Sequence, residues 1–153
     1  MSSRLFQEIR EKHGLAYSVY SFSSTYADTG ILGIYAGVSP DKVNRTTELI
    51  LHELNKMREH GVTLEELENA VQYTKGSILL ALENSESHMV RLAQNEFHFG
   101  RSVPVDETIH RINSLTREDI KAFTEEFFDP ATLSISVLGP MKDISGIRDL
   151  VGR

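Results

Sequence analysis

The stretch LFQEIREKHGLAYSVYSFSS, residues 5–24, changes from a helical pattern to a strand-like pattern in its middle. Before the change, apolar side chains recur at helical spacing, which predicts a helix over residues 3–12. Glycine tolerates the left-handed conformation that ends helices, so Gly14 is the predicted end of this one. Aromatic, β-branched and hydroxyl residues then predict a strand over residues 15–25. The sequence therefore predicts a helix that is followed directly by a strand.

Two later segments also have the composition of strands. Residues 31–38, ILGIYAGV, follow the first strand after a short turn, so the two are expected to pair as an antiparallel hairpin. Residues 131–139, ATLSISVLG, alternate between apolar and small polar side chains, with Leu133, Ile135 and Val137 on one face. This alternation predicts a third strand of the same sheet.

The remaining segments with clear periodicity are helical. They cover residues 40–60, 63–98, 105–113 and 117–127. Thr63 with Glu66 forms a capping-box pattern that opens the longest of them. Gly76 and the polar stretch ENSES, residues 83–87, are the two places where this helix is expected to bend or break. The tail from 141 to 153 has no clear period. The predicted fold class is α+β, an antiparallel sheet packed on one face by helices.

The small number of strands relative to helices predicts that the chain is part of a larger protein. Three strands make a small sheet for so many helices, and the chain opens in mid-helix with no strand before it. A length of 153 residues suits one domain. We therefore expect residues 1–153 to form a single domain, a fragment that lacks upstream strands of its sheet.

Composition narrows the classes of partner and chemistry. The net charge of −6, without any basic cluster, argues against a nucleic-acid partner. No apolar run is long enough for a signal peptide or a membrane span, so no membrane partner is expected. The chain has no cysteine, which excludes disulfides and thiol catalysis. The absence of cysteine also fits a reducing cytoplasm.

Two local patterns approach zinc-binding motifs without completing them. HELNK, residues 52–56, begins like the helical H-E-x-x-H site, and KMREH, residues 56–60, ends like its inverse. In both patterns Lys56 stands where the second imidazole is needed, so both are interpreted as solvated helix surface. GILGIYAG lacks the spacing of a dinucleotide loop, and SESH has no acid to complete a triad. No metal site is predicted in this chain.

Arg10 and Tyr17 are the remaining candidates for a site, one on each side of the helix-to-strand change. Each has an ordinary structural interpretation. Arg10 is a cation near a helix C-terminus, where it interacts favourably with the helix dipole, and Tyr17 is a half-buried strand aromatic. Their seven-residue spacing within REKHGLAY makes a functional interpretation more attractive.

The segment SSRLFQEIREKHGLAYSVYS closely resembles the C-terminal half of the M16 (pitrilysin) family of zinc peptidases, which includes mitochondrial processing peptidase and bacterial processing proteases. The resemblance continues in LENSESHMVRLAQNEFHFGR, INSLTREDIKAF and TLSISVLGP, in the family's order. It therefore covers nearly the whole chain. The REKHGLAYS block is specific, and the later blocks support it.

The resemblance implies a division of labour between two homologous halves that close around a peptide. The zinc and its glutamate base belong to the N-terminal half, which this chain lacks, so zinc is expected only in the complete protein. By resemblance, Tyr17 is the catalytic residue that hydrogen-bonds the scissile carbonyl as it becomes an oxyanion, and Arg10 binds the substrate. The implied partners are that zinc-bearing half, on the same protein or on a partner subunit, and peptide substrates. A homo-oligomer is left open.

Two functions follow from the resemblance. The first is the substrate-binding domain of a zinc metalloendopeptidase, inactive on its own. The alternative is a non-catalytic scaffold or assembly module of the same fold, like the core subunits of respiratory complexes. The presence of both Arg10 and Tyr17 favours the peptidase, because a scaffold does not need both.

Overall fold

The structure is a computed structural model that describes residues 3–26, 28–141 and 145–151. Its strands are β1 (Ala16–Thr25) and β2 (Gly30–Val38). Its α-helices are α1 (Val43–His60), α2 (Leu64–Leu82), α3 (Ser85–Phe99), α4 (Val105–Asn113), α5 (Arg117–Phe127) and α6 (Ser145–Val151). A π-helix, Phe6–Lys12, and two 3₁₀ turns, Pro40–Lys42 and Pro130–Thr132, complete the described elements. The predicted α+β class is confirmed.

The two strands form the predicted antiparallel hairpin. The pairing runs from Ala16 opposite Val38 to Thr25 opposite Gly30, and its register shifts between Ala16 and Ser18. One face of the hairpin turns toward the core, where Val19 is buried. The π-helix packs against β1, and α1 packs against both β2 and the π-helix. Helices therefore cover one face of the sheet, as the sequence predicts.

The described residues group into two compact units. The first unit comprises Met1–His60 with Thr124–Arg153, and its core centres on Ile9, which is completely buried. Other members of that core are Ala16, Val19 and Leu49, with Leu5, Phe6, Leu15, Ile34, Ala36, Val38 and Ile50 packed around them. Two compact units can belong to one domain, so the single-domain expectation stays a prediction.

The second unit, Gly61–Phe123, contains α2, α3 and α4. The capping box is present as predicted. The backbone N–H of Glu66 donates to the Thr63 hydroxyl at 3.2 Å, and the backbone N–H of Thr63 donates to the Glu66 carboxylate at 2.7 Å. The helix predicted over 63–98 is divided into α2 and α3, because the side chain of Asn84 accepts from the Ser87 backbone N–H and caps a new helix.

The prediction of a third strand over 131–139 is wrong for this chain. Residues 130–132 form a 3₁₀ turn, and residues 133–138 pair with no strand in the described structure. Alternation reports that a segment can present one apolar face, but a strand also needs a neighbour with free hydrogen-bonding groups. β1 and β2 pair with each other, and Leu138 is fully exposed.

The C-terminal tail forms α6 within its described part, and residues 142–144, 152 and 153 lie outside the description. In the described ranges, no helix combines the length and the apolar character needed to cross a bilayer.

Candidate functional site

The candidate site begins at the end of the π-helix that carries Arg10. Gly14 adopts φ 56°, a left-handed conformation that glycine reaches without steric strain. The Gly14 backbone N–H donates to the Arg10 carbonyl at 3.1 Å, and the Leu15 N–H donates to the Ile9 carbonyl at 2.9 Å. These bonds turn the chain directly from helix into β1. Burial of Ile9 in the core leaves the neighbouring Arg10 side chain exposed.

Tyr17 lies where the register of the hairpin shifts. Its neighbour Ala16 is buried, whereas the Tyr17 side chain is 87% exposed. The sequence-based interpretation of Tyr17 as a half-buried strand aromatic is therefore wrong. Irregularities of this kind re-aim side chains at the edges of sheets and next to active sites. Among the described residues, the Tyr17 hydroxyl has no hydrogen-bond partner.

The structure brings Arg10 and Tyr17 together. The guanidinium carbon of Arg10 lies 5.9 Å from the centroid of the Tyr17 ring and 5.0 Å from that of the Phe6 ring. Such cation–π contacts orient an exposed arginine without using its N–H donors. Within the described part of the chain, Arg10 forms no ion pair. A guanidinium fork and a phenol hydroxyl therefore stand side by side, both available to a ligand.

A group of charged residues that sequence reasoning missed lies between the π-helix and α1. The carboxylate of Glu53 is only 6% exposed and accepts from Lys56 at 2.9 Å. Glu8 pairs with Lys12 on the π-helix.

The pKa values of this second pair are shifted. The hydrogen bond from Lys12, aided by the charges of Lys12, Lys56 and His13, lowers the pKa of Glu8. The bond to Glu8, with help from Glu53, raises the pKa of Lys12. Opposite charges thus alternate between the helix that carries Arg10 and α1.

The burial of Glu53 corrects the interpretation of HELNK as solvated helix surface. The buried residues of α1 are Val43, Thr46, Leu49 and Glu53, which share one face of the helix. His52 and His60, by contrast, are exposed. Glutamate is a polar residue, so its identity does not predict burial. Only its position four residues after Leu49, on the same face of α1, could have indicated it.

The residues present do not fit a zinc site. In the ranges 3–26, 28–141 and 145–151, no group of three or more histidine, aspartate, glutamate or cysteine side chains is placed to hold a metal ion. Lys56 donates to Glu53, and His52 and His60 are eight positions apart on one helix. Arg10 and Tyr17 instead offer N–H and O–H donors.

Comparison with known sequences shows the family to which this chain belongs. The sequence profile described as "Peptidase M16 inactive domain" matches residues 1–73, which include Arg10 and Tyr17. An uncharacterized zinc protease of Streptomyces coelicolor is 43% identical over 143 residues, covering 94% of this chain and 31% of the relative. An uncharacterized zinc protease of Bacillus subtilis is 41% identical over 143 residues, covering 92% and 35%. The chain spans about a third of the length of these curated relatives.

Solved structures agree with this placement. A peptidase M16 inactive domain from Pseudomonas fluorescens matches with a TM-score of 0.71 at 26% identity, covering 81% of this chain and 29% of that one. A conserved protein from Enterococcus faecalis matches with a TM-score of 0.68 at 29% identity, covering 80% and 28%. Complex III2 from Candida albicans shares the fold, with a TM-score of 0.73 at 23% identity over 82% and 30%. In sequence and in fold, the chain is a C-terminal domain of the M16 peptidase family.

Proposed function

We propose that this chain is the substrate-binding domain of an M16-type zinc metalloendopeptidase that acts on peptides or protein precursors. The observation that carries the proposal is the 5.9 Å contact between the Arg10 guanidinium carbon and the Tyr17 ring centroid. Among the described residues, neither side chain has a hydrogen-bond partner. The zinc-protease names of the relatives support a metal in the complete protein. Their bacterial sources favour a cytoplasmic location in a bacterium.

Tyr17 acts in this proposal as a hydrogen-bond donor. Its hydroxyl donates to the carbonyl oxygen of the peptide bond under attack and keeps its own proton. The bond strengthens as negative charge develops on that oxygen, so it stabilises the transition state more than the bound substrate. A phenol that already lacks a protein partner gives up no internal hydrogen bond to do this.

Arg10 acts as the group that positions the peptide. Its planar fork of N–H donors matches a backbone carbonyl or a carboxylate, and the rings of Phe6 and Tyr17 limit its orientations. A peptide held by Arg10 would present a nearby carbonyl to Tyr17. Neither side chain can activate water, so the metal and the base come from the zinc-bearing half of the same protein or from a partner subunit.

The test uses the longer protein that contains this chain. Tyr17→Phe removes only the hydroxyl, so we expect kcat to fall about 10²–10³-fold with little change in KM, as when one oxyanion donor is lost. Tyr73→Phe is a matched control, because Tyr73 is 77% exposed and lies in the second unit. Zinc content and melting temperature are measured for each variant. Equal kinetics for the two variants would refute the assignment.

A scaffold role is the second candidate, favoured by the fold shared with Complex III2 and by exposed apolar side chains. The hairpin exposes Tyr20, Phe22 and Tyr35, and contiguous surfaces of this kind often mark contacts with other chains. A scaffold needs no free phenol at position 17. A longer protein that binds zinc and cleaves no peptide, with a stable complex to another subunit, would support this role.

A further inference from the structure

An open depression borders Tyr17 on the side of β2. Its volume is about 540 Å³, within the range of small-ligand sites. It is lined by Gly14, Leu15, Ala16, Tyr17, Gly37, Val38, Ser39 and Lys42, all in the first unit. Tyr17 therefore belongs both to the lining of the depression and to the Arg10–Tyr17 site.

Lys42 places a positive charge in this depression. Its Nζ donates to the Gly14 carbonyl at 3.1 Å, which uses one of three N–H donors. No carboxylate lines the depression, and Lys42 forms no ion pair within the described residues. The side chain is half-buried, so water screens its charge less than that of a fully exposed lysine. An otherwise acidic chain thus presents an unneutralised ammonium group next to Tyr17.

Tyr17 and Lys42 line the same depression, so one extended peptide that occupies it meets both side chains. Consecutive residues of such a peptide advance about 3.3 Å, and their side chains alternate in direction. If the Tyr17 hydroxyl contacts one carbonyl, a side chain one or two residues away can enter the depression that Tyr17 borders. An aspartate or glutamate side chain there would receive hydrogen bonds from the two remaining donors of Lys42.

We propose that Lys42 is a specificity-determining residue that selects peptides with an acidic side chain next to the carbonyl contacted by Tyr17. The proposal rests on the proposed function, because it takes the occupant to be a peptide. Its competitor is a purely structural role in which Lys42 only ties the Gly14 turn to the start of α1. That role predicts no preference between charged and neutral peptides.

The experiment measures binding to this chain directly, without hydrolysis. Two blocked alanine-based peptides, identical except for a central glutamate or glutamine, are titrated into the ¹⁵N-labelled chain at low salt. We expect the glutamate peptide to bind about 3- to 10-fold more tightly, with amide shifts at Gly14, Tyr17 and Gly37. Lys42→Met should abolish the preference, and Lys42→Arg should retain it. Lys75→Met, in the second unit, should leave it unchanged.

Two outcomes would overturn the assignment. The first is equal affinity for the two peptides, or no shift at these amides with either peptide. The second is a preference that survives Lys42→Met. A loss of folding in Lys42→Met is recognised by its amide spectrum, and Lys42→Gln then provides a second neutral variant. The Tyr17→Phe kinetics in the longer protein are a separate measurement, so failure of the selectivity is distinguishable from failure of the proposed function.

Discussion

At the scale of single residues, the exposure of Arg10 and Tyr17 follows from the burial of their neighbours. Ile9 and Ala16 both belong to the core, and each precedes one of the two site residues. The core therefore anchors the backbone on both sides of Gly14, while the site residues project into solvent. Rigid support of this kind holds functional side chains in place without engaging their polar groups.

Arg10→Lys tests whether the guanidinium fork matters beyond its charge. In the longer protein we expect KM to rise about 10-fold or more, because lysine cannot donate two parallel hydrogen bonds to the substrate. The change in kcat should be smaller, because the residue at position 10 binds the substrate before the chemical step. Steady-state kinetics with the zinc content of each preparation provide the measurement. Arg45→Lys is the control, because Arg45 pairs with Glu48 on α1. An unchanged KM for Arg10→Lys would contradict a role in peptide binding.

At the scale of elements, charge links the π-helix to α1. A π-helix of seven residues is unusual, and its geometry depends on what packs against it. Ile9 anchors it through the core, and Glu8 and Lys12 face the charges of Lys56 and Glu53. Because Arg10 lies between Glu8 and Lys12, any change in this charged group is expected to move the candidate site.

Glu53→Ala should destabilise the first unit. Removal of this 6%-exposed carboxylate deletes a hydrogen bond between charged groups on the buried face of α1, which is expected to cost about 1–3 kcal/mol in the free energy of unfolding. Glu48→Ala is the matched control on the same helix. Glu48 is 46% exposed and paired with Arg45, so its loss should cost less than about 1 kcal/mol. Urea unfolding measures both values, and equal costs would show that the burial of Glu53 has no energetic role.

In the second unit, Glu107 of α4 pairs with Arg101, which lies two residues beyond the end of α3. Arg101 donates two hydrogen bonds to it, at 2.8 and 2.9 Å, and Arg111 donates a third at 2.7 Å. The bonds from Arg101, then the charges of both arginines, lower the pKa of Glu107 from 4.5 to about 2. This contribution to stability is therefore present above about pH 4.5 and is lost as the pH falls through about 2.

The prediction for this pairing concerns the titration of Glu107. In Arg101→Gln, the carboxyl pKa of Glu107 should rise toward its ordinary value, so the stability lost between about pH 4.5 and pH 2 should be smaller than in the parent chain. Carboxyl-detected NMR titration measures the pKa, and urea unfolding at several pH values measures the stability. Arg45→Gln, which breaks an unrelated pair, should leave Glu107 unchanged. An unchanged carboxyl pKa of Glu107 in Arg101→Gln would refute the pairing.

At the scale of the whole molecule, the sheet is the part whose pairing differs from the sequence prediction. It has two strands, and residues 133–138, which carry the sequence pattern of a strand, pair with none of the described strands. The curated relatives are about three times as long as the matched region. We expect a longer protein that contains this chain to supply a strand to which residues 133–138 pair.

Hydrogen exchange tests this expectation. The amides of residues 133–138 should exchange rapidly in this chain and slowly in the longer protein, because pairing in a sheet protects backbone N–H groups. The amides of β1 provide the control, since their pairing with β2 should protect them in both proteins. Rapid exchange of residues 133–138 in both would mean that no strand is added there.

The sequence by itself determined what depends on neighbouring residues. Hydrophobic period, the capping box at Thr63 and the glycine at position 14 predicted the helices and the hairpin, because each acts within a few residues of the chain. The spacing of Arg10 and Tyr17 pointed to the site through a family resemblance. Tertiary structure alone decided the rest: the burial of Glu53, the exposure of Tyr17, the contact of Lys42 with Gly14 and the absence of pairing between residues 133–138 and the described strands. Each of these features depends on contacts between segments that are distant in sequence. The local sequence pattern does not show which distant segment packs against a given residue.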